Sequence, residues 1–143
     1  MKIYKCKLVK EREVEYEAEI SCARDAEKLF RKLGLNKEPE EVFWIACLNT
    51  KGKVIGMHEV SRGSLAICPV HPRDIFKRAL LNNASSIILC HNHPSGDPDP
   101  SSEDKELTRR LIQAGKILGV KIVDHIVVGD YYFSFAGNGY MEE

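Results

Sequence analysis

Residues 85–119 read SSIILCHNHPSGDPDPSSEDKELTRRLIQAGKILG, passing from an apolar run through a Pro/Gly-dense stretch into an amphipathic segment. Ser85 to Cys90 has the length and composition of a strand covered on both faces. Pro94 to Pro100 holds three prolines and a glycine and is expected to be a loop within one domain. From about Ser102 to Leu118, Leu107, Leu111, Ala114 and Leu118 recur at spacings of four, three and four, which predicts a helix closed by Gly119. A strand feeding a helix is the repeating unit of α/β domains.

The flanking sequence continues the alternation. Val42 to Leu48, VFWIACL, is apolar at every position and reads as a central strand. Asn49 to Gly52 turns the chain into a return strand from Val54 to about Val60. Strict alternation there sets Ile55, Met57 and Glu59 on one face and Val54, Gly56, His58 and Val60 on the other. A short strand near Leu65 to Val70 is expected next, then a helix opened by Pro72 with Ile75, Phe76, Ala79 and Leu80 on one side. Before these, Ser21 can cap a helix from about Cys22 to Leu33, with Ala26, Leu29, Phe30 and Leu33 as its stripe and Gly34 as its stop. The first 20 residues suit edge strands, and VKIVDHIVVG (120–129) with YYFSF (131–135) makes a final strand pair. The fold class predicted is α/β.

The 143 residues, 43% hydrophobic and 29% charged, describe one ordinary domain spanning 1–143. A chain of this length buries roughly 68% of its unfolded surface, so any metal would serve function and not folding. The longest apolar run, Val42 to Leu48, is far short of the roughly 20 residues of a membrane helix, and no membrane partner is expected. Charges in the N-terminal segment argue against a signal peptide and for a cytoplasmic location. With 21 basic and 21 acidic groups, the net charge is zero, which argues against nucleic acid binding driven by the overall field. Lys105, Arg109, Arg110, Lys116 and Lys121 are the only basic cluster of note. The five cysteines, an odd number without a C-x-x-C, read as reduced core thiols. Cys90 beside the histidines is a conceivable ligand, but neighbouring strand residues point to opposite faces.

His91 and His93 stand two apart at a strand end, so both imidazoles project to one side if the extended backbone persists. Asp104, three residues before Leu107 and seven before Leu111, falls on the buried stripe of the following helix. An inward carboxylate requires a partner. Two imidazoles and a carboxylate are ligands zinc accepts, and three protein ligands leave a fourth tetrahedral position for water, as catalytic sites do. Each residue alone has a plainer reading. Asp104 with Ser101 fits a capping box, the histidines fit a loop that bonds its own backbone, and Glu59 fits a strand-edge glutamate in solvent. Asn92 points away and suits a loop-fixing role. Asp124 and His125, in a core strand, read as structural or as support behind a ligand.

The run from His71 to Phe135, with His91-Asn-His93-Pro94 and then Ser101-x-x-Asp104, resembles the RadC family, a branch of the JAB/MPN (JAMM) metalloprotease-like domains. The resemblance covers roughly residues 41–140 and is weaker before that. It implies a three-layer, cytidine-deaminase-like fold in which a central mixed sheet is flanked by helices. It further implies a Zn2+-dependent hydrolase of peptide or isopeptide bonds, with His91, His93 and Asp104 as metal ligands. The family's upstream glutamate precedes a glycine by four residues, and Glu59-Val-Ser-Arg-Gly63 matches it. On that reading Glu59 is the general acid/base, its proton affinity raised by a desolvated setting, and Ser101 donates to the developing oxyanion. Two other readings follow from the same resemblance: a metal-binding or interaction module without catalysis, and a DNA-repair-associated accessory protein. The sequence has no counterpart of the helix-hairpin-helix segment of longer members, so the repair label is expected to transfer poorly. A zinc deaminase would need His-x-Glu and Pro-Cys-x-x-Cys, which are absent. Pairing of exposed N-terminal strands would permit a homodimer.

Overall fold

The computed structural model describes residues 1–141, so Glu142 and Glu143 of the expected 1–143 domain lie outside the described residues. Seven main elements follow one another: α1 (Ala23–Lys32), β1 (Val42–Leu48), β2 (Val54–Arg62), α2 (Pro72–Leu81), β3 (Ser86–Asn92), α3 (Ser102–Leu118) and β4 (Lys121–Val128), with a short β5 (Tyr132–Ser134) completing the sheet. The strand order is β2-β1-β3-β4-β5; β3 and β4 are parallel, with α3 between them in sequence, and the other neighbours are antiparallel.

Apolar alternation on the central strands supplies two cores. Phe43, Ile45, Cys47, Ile87 and Leu89 face α2 and α3, against Ile75, Phe76, Leu107 and Leu111. Val42, Ala46, Leu48, Ile88, Cys90 and Ile126 face α1, against Ala26 and Phe30. The result is the expected α/β architecture of a mixed five-stranded sheet flanked by helices, consistent with a JAB/MPN fold.

The caps follow the physical rules with one substitution. Asp25, and not Ser21, carries the cap interaction of α1: the Ser21 N–H and hydroxyl both donate to its Oδ2, at 3.0 and 2.9 Å. Gly34 adopts φ 82°, a left-handed conformation that suits glycine, just beyond the C-cap of this helix. At α2 the cap is His71, whose Nδ1 accepts from the Arg73 N–H while Asp74 accepts from the His71 N–H.

Several expectations are corrected. Residues 1–18 form no strand; the arm touches the sheet through one antiparallel bridge, Glu19 with Lys53. Continuing that register along β2 would set Glu13 opposite Glu59, and Glu11 to Glu19 place a glutamate at every odd position, so like charges line one face. Leu65 to Val70 is not a strand but a turn in which the Ser64 carbonyl accepts from the Ile67 and Cys68 N–H groups. Leu80 and Leu118, assigned to inward stripes, are exposed; each sits in the last turn of its helix. Only Cys47 and Cys90 are buried thiols; Cys6, Cys22 and Cys68 are exposed. Burial pushes the Cys47 thiol up to about 12, which keeps it an inert neutral core group.

Candidate metal centre

Strand β3 runs on through His91 and Asn92, further than its apolar run alone predicts. The backbone then turns tightly. The His93 N–H donates to the Val128 carbonyl at 2.8 Å, Gly96 N–H to the His93 carbonyl at 3.0 Å, and Asp130 N–H to the Gly96 carbonyl at 2.7 Å. The loop is thereby laid on the β4–β5 turn so closely that a Cβ on Gly129 would meet the Gly96 carbonyl oxygen at 2.4 Å. His91 and His93 project to one side, toward the first turn of α3.

Asp104 both caps α3 and meets the two histidines. As a capping residue, its Oδ2 accepts from the Ser101 N–H at 2.8 Å while Ser101 Oγ accepts from the Asp104 N–H at 3.1 Å. As a partner of the histidines, its Oδ1 lies 3.2 Å from His91 Nε2 and its Oδ2 lies 3.2 Å from His93 Nε2. The two Nε2 atoms are 3.0 Å apart. Burial alone would raise the Asp104 pKa, but the two imidazoles and the Ser101 N–H outweigh it and hold the carboxyl well below the usual range. Burial likewise opposes a charge on His93, yet Asp104, the Asp97 carbonyl and the Glu41 carboxylate together raise its pKa.

The donor set fits a small divalent cation. Ligand atoms about 2.0–2.2 Å from a tetrahedral zinc stand about 3.3–3.6 Å from one another, a little wider than the 3.0–3.2 Å found here. The His93 Nδ1 lies 2.9 Å from the Asp97 carbonyl oxygen, which can only accept, so this ring nitrogen bears the hydrogen and the neutral ring presents a bare Nε2 to the cluster. Such nitrogens and a carboxylate converge comfortably only around a positive charge. Among the described residues, His91, His93 and Asp104 are the group whose donor atoms converge in this way, and they could hold a metal ion.

Behind these three side chains lies a further layer of polar and aromatic groups. His125 Nε2 is 2.7 Å from His91 Nδ1, and His125 Nδ1 is 2.6 Å from Thr108 Oγ1, whose hydroxyl donates to the Asp104 carbonyl at 2.8 Å. Phe43 stacks on His91 and Phe135 on His125, with ring centres 5.7 and 4.6 Å apart. Complete burial drives the His125 pKa well below the ordinary histidine value. Asp124 turns the other way, accepting from Ser134 Oγ at 2.6 Å and from the His125 and Ala136 N–H groups. Asn92 fixes a loop, as expected: its Oδ1 accepts from the Val42 N–H at 2.7 Å and its Nδ2 donates to the Glu40 carbonyl at 2.9 Å. Cys90 faces α1, away from the cluster.

Glu59 is elsewhere. A bulge sets Phe43 opposite Ser61 but Trp44 opposite Glu59, so Glu59 shares its row with Trp44 and Cys90 and not with His91. It is exposed, as is Ile55, and its carboxylate accepts from Arg62, which also pairs with Glu38 at 2.9 Å. The desolvated setting expected for it is absent because β2 is the outermost strand. A different carboxylate approaches the site. Phe43 stands opposite His91, and half-buried Glu41, two residues before Phe43, lies near enough for its charge to act on His93. Sequence reasoning passed over Glu41, although its place two residues before inward-facing Phe43 was a readable signal. Thr108 was also missed, despite standing four residues after Asp104 on the inward stripe.

Comparison with known proteins agrees with this geometry. The family model described as RadC-like JAB domain matches residues 20–140. A UPF0758 protein of Caldanaerobacter subterraneus is 55% identical over 91 residues, covering 64% of this chain and 39% of that protein. One from Desulforudis audaxviator is 52% identical over 94 residues, covering 66% and 41%. Another, from Syntrophomonas wolfei, is 44% identical over 124 residues, covering 84% and 53%. The chain thus spans about two fifths to one half of the length of these curated relatives. Among the described residues no helix is long and apolar enough to cross a membrane.

Proposed function

We propose that this chain, which belongs to the RadC-like JAB domain family, is a zinc-dependent hydrolase of peptide or isopeptide bonds, its metal held by His91, His93 and Asp104. The observation that carries the reading is the buried convergence of two imidazole nitrogens and a carboxylate at separations of 3.0–3.2 Å. When bound, such an ion acidifies a coordinated water and polarises a carbonyl.

The protein's own groups then have distinct tasks. Ser101 Oγ accepts from the Asp104 N–H, which leaves its hydroxyl hydrogen to donate toward an oxyanion formed beside the first turn of α3. A carboxylate must take a proton during attack and return it to the leaving amine. Glu41 suits that role better than Glu59, because its charge acts on the His93 ring, while Glu59 is engaged with Arg62 on another row. The groove between the 64–70 turn and α3, with Leu65, Pro69, Val70 and Leu107 as its apolar wall and Ser102, Glu103, Glu106 and Arg110 as its polar lining, could receive an extended substrate.

Elemental mass spectrometry of the purified protein tests the metal. About one zinc per chain is expected, lost in both His91→Ala and Asp104→Ala. No zinc after reconstitution would overturn the reading. Zinc bound without cleavage of any peptide or isopeptide in a broad screen would favour a metal-binding interaction module instead.

A further inference from the structure

We propose that Thr108 and His125 are positioning residues that fix the tautomer of His91, so that this ring meets a cation through a bare Nε2. The proposal rests on the reading of His91 as a ligand, but it concerns where hydrogens sit in the metal-free protein and can be decided without the metal.

The argument starts from the group with the least freedom. The Asp104 carbonyl oxygen has no hydrogen to give, so the Thr108 hydroxyl, 2.8 Å away, spends its single hydrogen there. Thr108 Oγ1 then presents only lone pairs to His125 Nδ1 at 2.6 Å, and that ring nitrogen must be the N–H. His125 is 0% exposed and packs on Phe43 and Phe135; Asp124, its neighbour in sequence, reaches its backbone N–H and not its ring. A second ring proton would be a buried charge without a partner, so Nε2 stays bare. That bare nitrogen faces His91 Nδ1 at 2.7 Å and accepts its hydrogen. In a neutral His91 the hydrogen is thereby held on Nδ1, and Nε2 is left as a lone pair aimed at Asp104 Oδ1, 3.2 Å distant.

The relay is a chain of three hydrogen bonds that starts at the Asp104 backbone carbonyl, passes through Thr108 and His125 and ends at His91, whose bare Nε2 faces the side-chain carboxylate of the same Asp104 without a hydrogen between them. It ties α3 to β4 and β3 through hydrogen bonds alone. Without the hydroxyl, the His125 Nδ1–H would be an orphaned buried donor. The imidazole escapes that cost by moving its hydrogen to Nε2 and donating to His91, whose own hydrogen then moves to Nε2 and blocks the ligand position.

Nitrogen-15 NMR of the histidine rings in metal-free protein reads the tautomers directly. With the rings neutral, His91 and His125 are both expected as Nδ1–H forms. In Thr108→Val, which keeps the shape and removes the hydroxyl, both rings are expected to shift toward Nε2–H. Zinc affinity, measured by chelator competition, should fall about 10–100-fold, the usual effect of losing a partner behind a ligand. Thr108→Ser should restore both readouts, which a loss of packing would not. His91 found as Nε2–H in the wild type would overturn the proposal without any variant, as would a Val variant with wild-type tautomers and affinity. A wild type that binds no zinc but shows the Nδ1–H pair would sink the metal reading and leave the relay intact.

Discussion

The two faces of the sheet at the end of β3 are built from adjacent residues and obey different physics. Cys90 enters the α1 side among Ala26, Phe30, Ile88 and Ile126, where contact is non-directional and shape is the main requirement. Burial pushes the Cys90 thiol well above its ordinary pKa, so it behaves as a small apolar group. His91, one residue later, enters the other side among His93, Asp104 and His125, where each buried nitrogen and oxygen has a partner at a set angle and distance. The apolar face can exchange one hydrophobe for another with modest loss. The polar face cannot, since removing one member leaves the others buried and unpaired.

That contrast can be sharpened or broken by substitution. The largest effect is expected for the carboxylate proposed as acid/base: Glu41→Gln should lower peptide or isopeptide turnover by about 10²–10⁴-fold while zinc content stays the same. Glu59→Gln, measured in the same assay, should change turnover by no more than a few fold; the reverse ranking would return the acid/base role to β2. Next comes Phe30→Ala, the largest fully buried side chain of the α1 face, expected to cost about 3–5 kcal/mol in denaturant unfolding with zinc still bound at saturating metal. Loss of zinc from the folded fraction of that variant would show that the faces are coupled. The smallest effect is expected for Cys90→Ser, which places a hydroxyl among apolar neighbours and should cost about 1–3 kcal/mol without altering zinc stoichiometry.

Much of this organisation could be read in the sequence because it depends on local pattern. The apolar runs of β1 and β3, the i, i+2 spacing of His91 and His93, and Asp104 on the stripe with Leu107 and Leu111 are periodicities of strand and helix, and they needed no tertiary information. What escaped depends on how strands sit beside one another. Alternation rightly put Glu59 on one face with Met57, but only the register, which sets these two opposite Trp44 and Ala46, shows that this is the α1 face and not the face of His91. Glu41 gains its meaning only from the antiparallel register that sets Phe43 opposite His91. His125 reaches His91 because β3 and β4 are parallel neighbours, a fact that no window of sequence contains. The N-terminal arm alternates as a strand should, yet alternation describes a face and not the existence of a partner. Residues 1–18 have no such partner among the described residues.

The seam between Gly96 and Gly129 bears on how this domain tolerates change. Position 129 offers no functional group and would be left out of any inventory of the site, yet the clearance there lets the loop after His93 close down on the turn that follows β4. A methyl group would pry the two backbones apart and carry His93 with them. A map of mutational sensitivity would therefore show a hot position where there is no chemistry at all: what position 129 has to supply is an empty volume.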